Sequence, residues 1–261
     1  MSRDVSLWSV VHSEWIKFRS VRSSIIGVAI TFVLTIGLGT LVTSLVRAHW
    51  NTTALAQKAT FDPVATSLVG ILFAQFAVGV IGSLFVTSEY SAGSIRTTLA
   101  AVPKRFELAL GKLIVLVVSM LVVGEIVSFA AFTLGQTIYS GVVPTASLSN
   151  GTVLRAVLFA GLYLTLLSLL AFSLGLIFRQ SAACISVFVS VLLIIPIILA
   201  FLPQSWQHDA RRFLPSEMGH AMVSTASVPN DFGAMTSLII LVIYVVVLFG
   251  IGVTMFSRRD A

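Results

Sequence analysis

Residues 88–112 read SEYSAGSIRTTLAAVPKRFELALGK, and this polar, basic stretch connects two long apolar runs. Arg96 and Arg105 cannot enter a hydrocarbon layer at low cost, so we expect the stretch to lie outside the membrane. Its part from Ser91 to Ala101 contains few flexible residues and predicts a short helix, which Pro103 would stop. A rigid element between two spans is suited to transmitting force. The alternative is a solvated loop whose charges only fix the topology.

The composition is that of an integral membrane protein. Of the 261 residues, 57% are hydrophobic and only 10% are charged, and the mean hydropathy is +1.03. A soluble globular domain carries about 25% charged residues, so this much apolar surface excludes a water-soluble fold. The net charge of +6 does not indicate nucleic-acid binding, because most basic residues lie near the ends of apolar runs. The single cysteine, Cys184, excludes an intrachain disulfide bond.

Six apolar runs have the length that a membrane span requires, which is about 20 residues. They cover residues 25–46, 67–86, 113–131, 158–178, 182–201 and 238–256. None of them alternates apolar and polar residues, which disfavours a β-barrel. The sequence therefore predicts an all-α integral membrane protein with six transmembrane helices.

The distribution of Lys and Arg residues predicts that both termini are cytoplasmic. With the N-terminus inside, the inner segments hold more than twice as many Lys and Arg residues as the outer segments. The stretch 88–112 would then face the cytoplasm. The run 25–46 is too long for a signal-peptide core and is not followed by a cleavage site, so we expect it to be a retained helix.

Residues 5–22 predict an amphipathic helix that lies in the membrane interface before the first span. Apolar side chains, with Trp15 among them, share one arc of this helix, and polar and basic side chains such as Lys17 lie largely opposite. Glu14 falls inside the apolar arc, where a carboxylate needs a partner. Lys17, one turn away, is the local partner. The other interpretation is that Glu14 contacts another subunit or the stretch 88–112.

Three stretches, in their order and topological positions, resemble the type 2 ABC transporter permeases over the whole six-span chain. FVTSEYSAGSIRTTLAAVPKRFELALGK is similar to the central signature of that family, through Glu89, Gly93, Pro103, Arg105, Gly111 and Lys112. SEWIKFRSVRSS resembles its N-terminal Glu-x-x-Lys interfacial helix, through Glu14 and Lys17. RRFLPSEMGHAM resembles the Leu-Pro-x-x-x-Gly element before its last span, through Leu214, Pro215 and Gly219.

The resemblance implies a permease subunit of a bacterial exporter, in which residues 91–101 form the coupling helix that docks on a separate ATPase. The residues that it assigns to this contact are Glu89, Gly93, Ser94, Arg96, Thr97 and Arg105. It further implies two P-loop ATPase subunits, a second permease that is identical or a sister, and a place in the bacterial inner membrane. The single domain of residues 1–261 would move a hydrophobic or amphipathic cargo, such as a drug, peptide antibiotic or lipid, along the permease interface.

The chain itself is not expected to be an enzyme or to hold a cofactor. A P-loop needs two glycines, a lysine and a Ser or Thr at fixed spacing. The only Gly-Lys pair is Gly111-Lys112, where Phe106 replaces the first Gly and Leu113 replaces the Ser or Thr. ATP and Mg would therefore be held by the partner ATPase. The four histidines show no metal-ligand spacing.

Glu125 lies inside the third apolar run, where a carboxylate is costly and indicates a functional site. It could line the cargo path or relay protons, and the alternative is a carboxylate satisfied by a neighbouring helix. Two other functions therefore stay open. One is a secondary transporter that is proton-coupled through Glu125, and the other is a non-transporting sensor or assembly subunit.

The segment 202–233 mixes apolar and charged residues and is long for a plain loop. It resembles the external re-entrant element of the permease family, in which Leu214, Pro215 and Gly219 would form an outer gate. The alternative is a surface loop that lies on the lipid headgroups.

Overall fold

The computed structural model describes residues 6–102, 104–226 and 232–258, with the backbone alone for residues 204–206 and 208. All regular secondary structure in these ranges is helical. Pro103, the expected helix stop, lies outside the described residues. Helices α1 to α14 are, in order, Leu7–Ser20, Arg22–Phe32, Leu38–His49, Leu55–Ala59, Pro63–Ser67, Ile71–Ser91, Ile95–Ala101, Arg105–Tyr139, Gly151–Phe178, Ser181–Val189, Ile195–Leu199, Gln204–Arg211, Pro215–Val223 and Ala234–Arg258.

Six helical stretches are long and apolar enough to cross a membrane, which confirms the expected all-helical, six-span architecture. They are Arg22–Thr52, Ile71–Ser91, Arg105–Tyr139, Gly151–Phe178, Ser181–Leu199 and Ala234–Arg258. The first and fifth are each interrupted by one π-helical turn, at Val33–Gly37 and Ser190–Ile194. The second of these turns lies just before Pro196, which lacks an N–H and cannot complete the regular hydrogen-bond ladder.

Local side chains determine where several helices begin. Asn150 precedes α9, and its side-chain oxygen accepts the N–H of Thr152 at 3.0 Å. Asp62 caps α5 in the same way, because Oδ1 accepts the N–H groups of Val64 and Ala65 at 2.9 and 3.0 Å. Such caps satisfy N–H groups that have no partner inside the helix.

Helix α9 is the centre of the bundle, and α6, α8 and α14 pack against it. In its most apolar part 83% of the residues are buried, against 17% in the first and fifth spans. Two glycines allow the backbones to approach closely. A Cβ atom at Gly82 on α6 would collide with the carbonyl oxygen of Ser168 on α9, and one at Gly124 on α8 would lie 2.6 Å from that of Gly161. Small residues at such crossings are typical of membrane helix pairs.

The bundle has two ends that carry different elements. The end with α1, α7 and the last turns of α14 is here called the α7 end, and Arg105 at the start of α8 bonds there to the carbonyl of Phe256. The opposite end, here called the α13 end, carries α4, α5, α12 and α13. There Asp62 accepts a hydrogen bond from the N–H of Thr225 at 2.8 Å.

The segment 202–233 contains α12 and α13, and α13 packs against α9 and α14 rather than standing free. Pro215 and Gly219 are buried in this contact, and Leu214 just before them is 8% exposed. A Cβ at Gly219 would collide with the ring of Tyr163 on α9. The mixed composition of the segment thus has a packing reason, because one face of α13 contacts the bundle.

The crossing of α6 and α9 can be tested with a single methyl group. We expect Gly82→Ala to lower the free energy of unfolding by about 1–3 kcal/mol, because the added Cβ meets a backbone oxygen that cannot move without shifting α9. Thermal unfolding in mild detergent measures the change. The matched control is Gly250→Ala on α14, where a Cβ meets nothing within 4 Å. Equal melting temperatures for the two variants would contradict the close crossing.

Candidate functional site

Helix α7 follows α6 after one tight turn at the α7 end. Gly93 in this turn has φ +67°, a left-handed conformation that glycine adopts without strain. The short helix expected at Ser91–Ala101 therefore begins only at Ile95, because Ser91 completes α6 and the turn takes up the residues between. The Ser94 hydroxyl donates to the carbonyl of Glu89 at 3.4 Å, which fastens the turn to α6.

Helix α7 has a buried side and an exposed side. Ile95 is buried and Leu99 packs against the core, so these two side chains anchor the helix. Arg96 and Thr97 are exposed at the end of the bundle. Within the described residues Arg96 forms no ion pair, and the Thr97 hydroxyl donates only to the carbonyl of Ser94. A cation without a counter-charge on an exposed, anchored helix is available to a partner.

Four charged side chains meet beside α7 and are here called the charge cluster: Glu14, Lys17, Glu89 and Lys112. Lys112 Nζ lies 2.7 Å from Glu14 Oε2 and 2.7 Å from Glu89 Oε1. Lys17 Nζ lies 2.7 Å from Glu14 Oε1 and 2.9 Å from the same Glu89 oxygen. Glu14 is only 1% exposed and Lys112 only 3%. The cluster therefore joins α1, α6 and α8 through buried ion pairs.

Glu14 pairs with Lys17, its expected local partner, and also with Lys112 at the end of the stretch 88–112. The local pair and the contact with this stretch therefore occur together. Burial acts to lower the pKa of Lys17, but the hydrogen bonds and charges of Glu14 and Glu89 outweigh it, and the pKa is raised. The ammonium of Lys17 therefore stays protonated. Glu89 accepts both lysines at Oε1, and its buried Oε2 has no hydrogen-bond partner among the described residues.

A cavity of about 450 Å³ lies between α1 and α7, beside the charge cluster. Its wall contains Phe18 and hydroxyl side chains such as those of Ser24, Ser88 and Thr98. The cavity leaves space between α1 and α7, and the ion pairs beside it join α1 to α6 and α8.

Arg105 also lies at the α7 end, but unlike the exposed Arg96 it binds within the bundle. Its Nη1 donates to the carbonyl of Phe256 at 2.9 Å, near the end of α14. Arg179, which ends α9 with φ 57°, reaches the carbonyls of Met255 and Phe256 at 3.4 and 3.5 Å. Cations favour the C-terminal carbonyls of a helix. Arg105 thus fastens the start of α8 to the last span.

The remaining predicted residues lie elsewhere. Glu125 is on α8 beside Gly161 of α9. It lies about 20 Å from Lys112 along the helix, at 1.5 Å per residue. Its buried Oε2 has no hydrogen-bond partner within the described ranges. Trp15 is 41% exposed on the outer side of α1. Leu214, Pro215 and Gly219 belong to the α13 end. No group of three His, Cys, Asp or Glu residues that could hold a metal ion occurs in the described part of the chain.

The charge cluster predicts a large effect of removing Lys112. Lys112→Met should lower the free energy of unfolding by about 3–5 kcal/mol, because Glu14 and Glu89 then share the single ammonium of Lys17 and one buried negative charge is no longer compensated. Denaturation in mild detergent measures this loss. The control is Glu107→Gln, which breaks the surface pair of Lys104 and Glu107 at 3.0 Å and should cost less than about 1 kcal/mol. A loss below 1 kcal/mol for both variants would contradict the buried cluster.

Comparison with known proteins gives a family but no activity. No curated protein matches the chain. The model of one protein family matches residues 51–261, which include α4 to α14 and therefore two of the four residues of the charge cluster. Since this match covers most of the chain, the protein belongs to the family described as Protein of unknown function (DUF2705).

Proposed function

We propose that the chain is the membrane-spanning permease subunit of an ATP-driven exporter in a bacterial inner membrane. It acts with separate P-loop ATPase subunits and with a second permease, either a second copy or a sister. The proposal rests on the resemblance of its central, N-terminal and 202–233 stretches to type 2 ABC permeases. Six apolar helices of spanning length and a short exposed helix between the second and third spans support it.

The arrangement of α7 carries the proposal. Arg96 and Thr97 are exposed for docking, while Ile95 anchors the helix in the core. Glu89 just before α7 and Lys112 on α8 are bonded at 2.7 Å, so the two spans that flank α7 are coupled directly. A displacement of α7 by a docked ATPase therefore reaches the second and third spans together. The same charges transmit it to α1 through Glu14.

The cargo is proposed to be hydrophobic or amphipathic. The first and fifth spans are little buried and expose apolar side chains, among them Val33, Leu41 and Ile194. These faces suit lipid or a second permease, and charged side chains that would bind a polar cargo are rare in the spans. Transport would follow the interface between the two permeases.

A second candidate function is proton-coupled transport without an ATPase. Glu125 favours it, because one of its carboxylate oxygens is buried and has no hydrogen-bond partner in the part of the chain that the structure describes, and such an oxygen at membrane depth is costly and is often a proton site. In this alternative α7 would have no docking partner, and Glu125 would carry the coupling. A non-transporting sensor or assembly subunit would show neither an ATPase docked on α7 nor transport that depends on Glu125.

Docking on α7 can be tested by charge reversal. We expect affinity purification in mild detergent to recover a P-loop ATPase with the intact protein, and Arg96→Glu to lower its recovery by at least roughly tenfold. A like-charge contact across an interface costs several kcal/mol. Arg19→Glu is the matched control, since Arg19 is an exposed cation of α1 at the same end.

A Gly-Ser segment in place of residues 95–101 should abolish recovery of the ATPase while the chain remains folded and inserted. If no P-loop ATPase is recovered with the intact, membrane-inserted protein, the ATP-driven proposal is wrong. Equal recovery with all variants would place the contact elsewhere than α7.

The ATP-driven and the proton-coupled mechanism can be separated by transport of a lipophilic dye across the membrane of proteoliposomes that contain the chain alone. The ATP-driven proposal predicts no dye transport under an imposed pH gradient, for the intact chain and for Glu125→Gln alike. The proton-coupled alternative predicts transport that the gradient drives and that Glu125→Gln abolishes. Gradient-driven transport with this dependence on Glu125 would replace the first proposal by the second.

A further inference from the structure

A second cavity, of about 580 Å³, lies at the α13 end inside a single chain. Its walls are the stretch from α5 to the start of α6, the N-terminal half of α9, α13 and the beginning of α14. This volume is within the range of small-molecule binding sites. The cavity is separated from the α7 end by the length of the bundle, so it is not part of the site described above.

The uncompensated charge at this cavity is positive. Arg155 on α9 lines it and is half-buried, and its contacts are the carbonyl of Ser224 at 3.1 Å and the ring of Phe159. Among the described residues it has no carboxylate partner. Glu217 also lines the cavity, but Arg211 neutralises it through Nε and Nη2 at 3.1 and 2.6 Å. A guanidinium has five N–H donors, so Arg155 can bind an anion in addition to Ser224.

Below Arg155 the cavity wall becomes apolar. Its apolar lining includes Leu68, Ile71 and Leu72. Tyr163 also lines it and lies on the same helix as Arg155, about 12 Å further along at 1.5 Å per residue. The hydroxyl of Tyr163 donates to Gln75 Oε1 at 2.6 Å, so this polar group is already satisfied. The cavity thus offers a cation near the end of the span and an apolar pocket extending into the bundle.

We propose that this cavity binds an amphiphile with an anionic group at one end of an apolar body. Arg155 binds the anionic group, and the apolar side chains of the stretch from α5 to the start of α6 contact the body. A free anionic surfactant and an anionic lipid share this chemistry. The inference does not rest on the proposed export function, because binding can be measured on the chain alone.

Helix α13 closes the cavity and is held there from two sides. Asp62 Oδ2 accepts hydrogen bonds from the N–H and hydroxyl of Thr225 at 2.8 and 2.9 Å, and Arg155 binds the carbonyl of Ser224. Asp62 is thus directed at neutral donors, and among the described residues it forms no ion pair with Arg155. An anion at Arg155 would lie directly beside the segment that follows α13.

The test is a titration of the full chain in phosphatidylcholine nanodiscs with dodecyl phosphate, followed by calorimetry. We expect binding of dodecyl phosphate but not of dodecanol or dodecyltrimethylammonium. Arg155→Gln should weaken it by on the order of tenfold, the worth of a hydrogen bond to a charged group. Arg47→Gln is the matched control, since Arg47 is an exposed cation at the same end that bonds to the carbonyl of Ile138.

Ala221→Phe keeps Arg155 and fills the cavity, so it should abolish binding in a folded protein. Native mass spectrometry after transfer into phosphatidylglycerol nanodiscs separates the two sources. If the protein retains a lipid and this lipid displaces dodecyl phosphate, the ligand is a membrane lipid. If no lipid is retained, the ligand is a free amphiphile. Equal binding of dodecanol, or unchanged binding by both Arg155→Gln and Ala221→Phe, would overturn the proposal.

Discussion

The charge cluster is the constraint on which the α7 end of the molecule depends. Taking the charges of Glu14, Glu89 and Lys112 out of water is expensive, and their close pairing with one another and with the partly exposed Lys17 offsets that cost. Glu14 comes from α1, Glu89 from the end of α6 and Lys112 from the early turns of α8. A shift of α6 or α8 by a few ångströms would leave the charge of Glu89 or Lys112 unpaired, and a shift of α1 would break its two ion pairs with them. The three helices are therefore expected to move as one body, with α7 attached to it.

Helix α6 connects this body to the far end of the bundle. It ends at Ser91, and Glu89 lies in its last turn. It begins shortly after α5, and Asp62, which caps α5, also binds the segment that follows α13. Helix α9 remains the common support, because α6 and α8 cross it through glycines that leave no room for adjustment. Helix α6 thus joins the charge cluster at one end of the bundle to the wall of the cavity at the other end.

Composition and apolar run length predict the fold class and the six spans, because a membrane imposes a fixed length on each apolar run. The sequence also indicates that Glu14 needs a partner, since a carboxylate interrupts an apolar arc. It does not identify Lys112, which lies 98 residues further along the chain, because side-chain pairing over that distance depends on how α1 packs against α8. The central position of α9 and the late start of α7 after Gly93 likewise depend on packing and on one backbone dihedral. The sequence does not single out Arg155 as a binding residue. Its charge at the cavity, unpaired among the described residues, becomes apparent only when the structure shows that Glu217 pairs with Arg211.

The most direct test of the central claim is photo-crosslinking from α7 in native membranes. A photoreactive amino acid replaces Thr97, on the exposed side of α7, and in a second protein it replaces Arg19 on α1. The account predicts that residue 97 captures a protein with a P-loop, identified by mass spectrometry, and that residue 19 captures far less of it. Capture of lipid alone at residue 97, from a protein that is folded and inserted, would contradict the account.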